Sequence, residues 1–159
     1  MSSPRLSPHF SLDEFTRSQT ASRRGIDNRV EPGSTIHTHL TALCRLLLQP
    51  IRDGLGPVHI TSGYRSPNLN AAIGGSSTSQ HADGLAADIV VSGYSPLEVC
   101  RWVVRNNLPY DQLIHEFGRW VHLSIAAAGD ARRGEQLTAY KAEGKTVYSP
   151  GIHPIEALT

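Results

Sequence analysis

The segment SSTSQHADGLAADIVV, Ser76 to Val91, decides the fold. A polar, glycine-bearing turn carries His81 and runs into the apolar stretch LAADIVV, which holds one carboxylate, Asp88. A short apolar run rich in Ile and Val, entered through a glycine turn, predicts a strand buried on both faces. A carboxylate in such a strand costs several kcal/mol unless something neutralises it. Spacing alone leaves two solutions open. Asp88 is an ordinary buried acid held by backbone N–H groups, with His122 a core histidine, or it meets a cation.

A divalent metal neutralises a carboxylate and also recruits histidine. Zinc takes imidazole nitrogen and carboxylate oxygen in a tetrahedral site, and a catalytic site leaves one position for water. The short turn through Gly84 can bring His81 and Asp88 to one point, and a third ligand must then come from elsewhere in the chain. His122, in RWVHLSI, is the best candidate, because it sits in an apolar strand where an imidazole needs a partner. His9 and His153 lie near the termini, His37 and His39 on a polar helix face, and His59 and His115 at strand positions expected to face outward. YDQLIHEF, GR and WVHLSIA read as a β-hairpin turning at Gly118. Glu116 then lies opposite or diagonal to His122. Directly opposed residues have Cβ atoms about 5 Å apart and share a face. From there Glu116 can act as general base on a metal-activated water. A one-residue slip in register would turn it away.

The rest of the chain reads as helices followed by strands. Ser11 and Glu14 in FSLDEFTRS form a capping-box pattern. QTASRRGIDNRVEPGS reads as a loop. A long helix fits STIHTHLTALCRLLLQPIRDGLG, with Ile36, Leu40, Leu43, Leu47 and Ile51 on one face and a kink or break at Pro50. VHITS reads as a strand, SPNLNAAIGG as a short helix, SSTSQHADG as a loop, and SPLEVCRWVVRNN as a helix capped by Ser95 and Glu98. A second hairpin turns at Glu143-Gly144. Helices followed by an antiparallel-leaning sheet place the chain in the α+β class. A single domain is expected over residues 1–159, with its core at about 9–150.

The chain has 159 residues, of which 39% are hydrophobic and 18% charged, with a net charge of +1, so it is globular rather than disordered. No long basic run gives a footprint for nucleic acid, and the pairs Arg23-Arg24 and Arg132-Arg133 read as solvated loop residues. No apolar run reaches the roughly 20 residues that span a bilayer, and the N-terminal segment shows no secretory leader. Cys44 and Cys100 fall on apolar helix faces and read as buried, reduced thiols.

Within the opening segment, SQHADGLAAD resembles the S-x-H-x-x-G-x-A-x-D signature of the zinc D-Ala-D-Ala carboxypeptidases, peptidase family M15, in its small phage-type form. Ser79, His81, Gly84, Ala86 and Asp88 fit it. ITSGYRSPNLN is similar to the S-G-Y-R-S segment that precedes the signature, and WVHLS to the later strand that supplies the third ligand. The resemblance runs from about His9 to Ser124. It implies a Hedgehog/DD-peptidase-like fold with N-terminal helices on a mainly antiparallel sheet. It implies one zinc per chain on His81, Asp88 and His122, and hydrolysis of amide bonds in peptidoglycan stem peptides. It also implies Arg65 as the group that steadies a substrate carbonyl or carboxylate. Many members carry the catalytic acid three residues before the last histidine. Arg119 stands there in this chain, whereas some small members place a glutamate on the preceding strand, as in LIHEFGRWVH, which points to Glu116. Asp83 is the fallback base. Ser79 either binds substrate or shapes its loop.

The phage-type resemblance implies a wall-lytic protein of phage or prophage. It would be made in the host cytoplasm and reach the wall after holin release or as part of a virion. A monomer is expected. The competing function is a catalytically silent zinc domain that binds wall peptide or builds a phage particle. A general protein peptidase is a third option, without the HExxH helix common among metalloproteases. The position of Glu116 relative to Arg119 separates the first two.

Overall fold

In a computed structural model the buried run LAADIVV forms strand β4 (Ala86–Val91), an inner strand of a six-stranded sheet. The structure describes residues 3–159, so Met1 and Ser2, the first residues of the segment read for a leader, lie outside it. A small ribbon of β1 (Arg5–Ser7) and β2 (Phe10–Ser11) leads into α1 (Asp13–Thr16). The capping pattern is half realised, because the Glu14 carboxylate accepts from the Ser11 N–H at 3.0 Å.

The segment after α1 corrects the loop expected there. Gln19–Arg24 is a helix, α2, capped by the Ser18 hydroxyl at its start and by Gly25 in the left-handed region at its end. Its six residues show too little apolar periodicity to announce it, and only Ala21 is buried.

The long helix is present, with a defect where Pro50 acts. α3 (Thr35–Leu43) continues through a wide π turn over Cys44–Leu48 into α4 (Gln49–Leu55). Proline has no N–H for the carbonyl four residues back, and its ring crowds that carbonyl. The helix relieves this by widening, and the Gln49 N–H reaches back five residues to Cys44.

β3 (Val58–Ser62) precedes α5 (Pro67–Ala72), and a 3₁₀ turn over Gln80–Asp83 precedes β4. α6 (Pro96–Arg105) has the full capping box of Ser95 and Glu98. Then follow β5 (Gln112–Glu116), β6 (Trp120–Ser124), β7 (Glu135–Ala142) and β8 (Lys145–Pro150). The sheet order is β3-β4-β6-β5-β7-β8, antiparallel except for the β5–β7 pair. This is the α+β architecture expected.

One face of the sheet is covered. Leu40, Leu43, Leu47, Leu48 and Ile51 of the long helix and Val99, Cys100 and Val103 of α6 bury Ala87, Ile89, Leu113, Val121 and Leu123. Because side chains alternate along a strand, Asp88, His122, Ile114 and Glu116 all fall on the opposite face. Both cysteines are buried and unbridged, and burial pushes both thiols up. His115 corrects the outward expectation. It shares the covered face, is buried, and donates from Nδ1 to the His153 carbonyl at 2.9 Å.

The loop after β3 is stitched in place by backbone bonds. Tyr64 donates to the Phe15 carbonyl and Arg65 to the His81 carbonyl. The Asn28 side chain donates to the carbonyls of Thr16 and Tyr64 and accepts from the Ser66 N–H. Gly63 sits where this loop touches α1, and a Cβ there would lie 2.6 Å from the Phe15 Cα and 2.7 Å from its carbonyl oxygen. Backbone atoms cannot yield as a side chain would. Gly63→Ala is expected to cost roughly 1–3 kcal/mol of stability in chemical denaturation. An unchanged midpoint would contradict this packing.

Candidate active site

Each site residue is placed by a separate piece of local structure. Asp88 lies on β4 directly opposite His122 on β6, and His122 lies directly opposite Ile114 on β5. Glu116 pairs with Trp120, so it is diagonal to His122 on the same face. The loop between β5 and β6 is Phe117–Arg119, with Phe117 and Gly118 at positive φ. His81 reaches the same point from the 3₁₀ turn. That turn packs on α3: a Cβ on Gly84 would meet Ile36, and His39 Nδ1 donates to the Asp83 carbonyl at 2.7 Å.

His81 Nε2 lies 3.3 Å from Asp88 Oδ1, and His122 Nδ1 lies 3.0 Å from the same oxygen. One donor atom from each of the three residues falls within 4.8 Å of the others. His81 Nδ1 faces the Gly63 carbonyl at 2.8 Å. A carbonyl only accepts, so the proton sits on Nδ1, and a neutral His81 presents a bare lone pair at Nε2. That lone pair faces a carboxylate oxygen, another acceptor. The arrangement is stable only with a positive charge between the two groups, either an extra proton or a metal ion. The donor set fits zinc: two imidazole nitrogens, one carboxylate oxygen, and a backbone carbonyl fixing the tautomer of one ligand. Two ligands about 2.1 Å from a tetrahedral ion sit roughly 3.4 Å apart, close to both distances here.

Burial alone would raise Asp88. When an extra proton rather than a metal fills the gap, hydrogen bonds from His122 and His81, and their charge, outweigh burial and hold the carboxyl well below the usual range. Glu116 goes the other way. Burial and the nearby Asp88 charge push it from 4.5 to about 7, against the opposing pull of His122 and Arg65. Its Oε1 lies 3.9 Å from His122 Nδ1. Arg65 is half-buried in the same cleft, and its buried Nε has no hydrogen-bond partner among the described residues. Desolvation lowers its pKa, opposed by Asp88 and Glu116. Ser79 lines the cleft, and its hydroxyl accepts from the His81 N–H at 3.3 Å. The cleft, of about 590 Å³, holds His81, Asp88, His122, Glu116, Arg65 and Ser79 together. Arg119 is exposed and lines a different cavity, and Asp83 is exposed outside the cleft.

The chain belongs to the peptidase M15 family. A family model described as Peptidase M15 matches residues 8–124, most of the chain and all six of these residues. No curated protein matches it. Membership makes the chain a member of a metallopeptidase family, and the His81–Asp88–His122 cluster is its candidate metal site.

Several residues in or just behind the cleft carry no signal in the sequence. Asp111 is buried and accepts from the Arg133 backbone N–H at 2.8 Å, from Arg133 Nη2 at 2.7 Å and from Gln80 Nε2 at 3.1 Å. It ties the turn that carries His81 to the loop before β7. Arg133 is therefore engaged rather than simply solvated, while Arg132 is exposed as expected. Trp120, Leu137 and Tyr148 also line the cleft.

The raised Glu116 has a consequence for stability. With the metal chelated away, the folded chain holds this proton up to about pH 7, whereas an ordinary carboxyl releases it near 4.5. Between those values the folded state binds more protons, so stability falls as pH rises through the window. Glu116→Gln should remove that part of the fall, shown by comparing denaturation of the two chelated proteins at about pH 5 and about pH 8. Equal slopes in both proteins would contradict the environment described for Glu116.

Proposed function

We propose that this M15 protein hydrolyses amide bonds in peptidoglycan stem peptides, as a carboxypeptidase or an endopeptidase, with zinc held by His81, Asp88 and His122. The observation that carries this is a carboxylate wedged between two imidazoles, with a second, proton-holding carboxylate beside them in one cleft. Bound zinc would supply a Lewis acid for the scissile carbonyl and lower the pKa of the attacking water. Glu116 takes the proton from that water and returns it to the departing amine. Burial makes Glu116 a stronger base than an ordinary carboxylate, which suits both transfers. Arg65, which lines the cleft, donates to the substrate oxygen on which charge develops, its guanidinium being always charged and able to bond two oxygens at once. Ser79 already uses its hydroxyl to cap the turn carrying His81, which supports a loop-shaping role over direct substrate binding.

The same geometry weighs against a silent wall-binding or virion structural domain. Glu116, not Arg119, faces the candidate metal site. A metal used only as a structural support gains nothing from a neighbouring base. In keeping with the small phage-type signature, we place the protein among phage or prophage wall-lytic proteins, acting after holin release or from the virion. Among the described residues no helix is long and apolar enough to cross a membrane.

Replacing His81, Asp88 or His122 by Ala should remove zinc and cleavage together, and full zinc retention in any of the three would take that residue off the ligand list. Glu116→Gln should retain zinc while turnover of a stem peptide falls roughly 10²–10⁴-fold. Unchanged turnover would assign the base elsewhere. Product masses from digested stem peptides identify the bond. A zinc-loaded wild type that cuts none of them would overturn the hydrolase proposal in favour of the silent domain.

A further inference from the structure

The family match ends at Ser124, and the chain continues with β7 and β8, which extend the sheet beyond β5 on its open face. Register shows what this addition presents. His122 on β6 faces Ile114 on β5, Ile114 faces Leu137 on β7, and Leu137 faces Pro150 on β8. In the neighbouring row, Trp120 faces Glu116, Glu116 faces Ala139, and Ala139 faces Tyr148. Directly paired residues project to the same side of a sheet. The face that carries Asp88 and His122 therefore continues as an apolar shelf of Ile114, Leu137 and Tyr148. All three line the same cavity as the metal-site residues.

Tyr148 is the most exposed of these, at 53%. It lines the cleft that holds Glu116 and Asp88, and partial burial and their charges raise its hydroxyl. Tyr148 is thus an exposed tyrosine on an outer strand that lines the cleft together with Leu137. Neighbouring strands lie about 4.8 Å apart, so three strand spacings put the β8 end of the shelf about 14 Å from the His122 column. An extended peptide advances at most about 3.5 Å per residue. A dipeptide spans half that distance, and about four residues span it all.

We infer that β7 and β8 form an outer subsite, with Leu137 and Tyr148 as its floor, which holds the part of a peptide substrate about three to four residues from the scissile bond. This rests on the proposed peptide hydrolysis and adds to it a preference for length. The occupant is the remainder of the substrate itself, because the shelf is continuous with the cleft where the bond is cut.

The test uses the zinc-loaded full chain, a synthetic stem pentapeptide, and truncated peptides down to the dipeptide that still contains the cut bond. Wild type is expected to cleave the pentapeptide at least tenfold more efficiently in kcat/KM than the dipeptide. Tyr148→Ala should shrink that ratio severalfold, mainly through KM, and Tyr148→Phe should restore it. In the Glu116→Gln background, a fluorescent pentapeptide should bind more weakly once Tyr148 is Ala. Equal efficiency on all lengths, or a ratio untouched by Tyr148→Ala, would overturn the subsite and leave hydrolysis standing. Tyr148-dependent binding without any cleavage would leave the subsite standing and overturn hydrolysis. Neither binding nor cleavage would overturn both.

Discussion

A carboxylate held between two imidazoles on the open face of a sheet is the constraint to which the rest of the molecule conforms. Asp88 is on β4 because the strand must be apolar on its covered side, where Ala87 and Ile89 pack, and polar once on the other. A lone charge there would cost several kcal/mol. Neutralising it requires His122 on the neighbouring strand and His81 from a turn that must close tightly over it. The Gly63 carbonyl fixes the His81 proton on the far nitrogen, so the near one faces the carboxylate as a lone pair. Asn28, Tyr64 and Arg65 clamp the loop that carries that carbonyl. A long way along the chain, Asp111 holds the same turn from its other side through Gln80. Much of the polar bonding inside the fold thus keeps one pair of lone pairs in place for a cation.

The two acidic groups at the site are driven apart by their surroundings. Asp88 has two imidazoles within hydrogen-bonding distance and is held ionised. Glu116 has burial and a like charge nearby, which keep its proton until about 7. An acid that stays ionised suits a ligand, and one that titrates near neutrality suits proton transfer. Register alone produces this division. Glu116 lies two residue pairs along the ladder from His122, the next position on the same face, so it reaches the site without joining the cluster.

Much of this was legible in the sequence because local rules carry it. The buried carboxylate in LAADIVV, the capped helix at Ser95, and the hairpin joining Glu116 to His122 are set by short-range patterns, and the structure shows each. α2 was missed because its stability comes from its caps and one buried alanine rather than from an apolar stripe. Sequence alone leaves His115 looking exposed, because alternation gives a residue's face but not what covers it, here the C-terminal segment at His153. Arg133 reads as solvated from sequence because its partner, Asp111, lies 22 residues away. The parallel pairing of β7 with β5, which places Leu137 and Tyr148 in the cleft, likewise depends on a connection that no local pattern specifies.

The most direct measurement is a crystal grown with zinc, with anomalous diffraction recorded at the zinc edge. The account predicts one strong peak per chain, bonded to His81 Nε2, an Asp88 oxygen and His122 Nδ1, with Glu116 nearby but outside the bonding shell. A crystal with no peak at this point, and Asp88 still hydrogen-bonded to protonated His122 and His81, would contradict it. Asp88 would then be a buried ion pair, and no metal chemistry would follow from it.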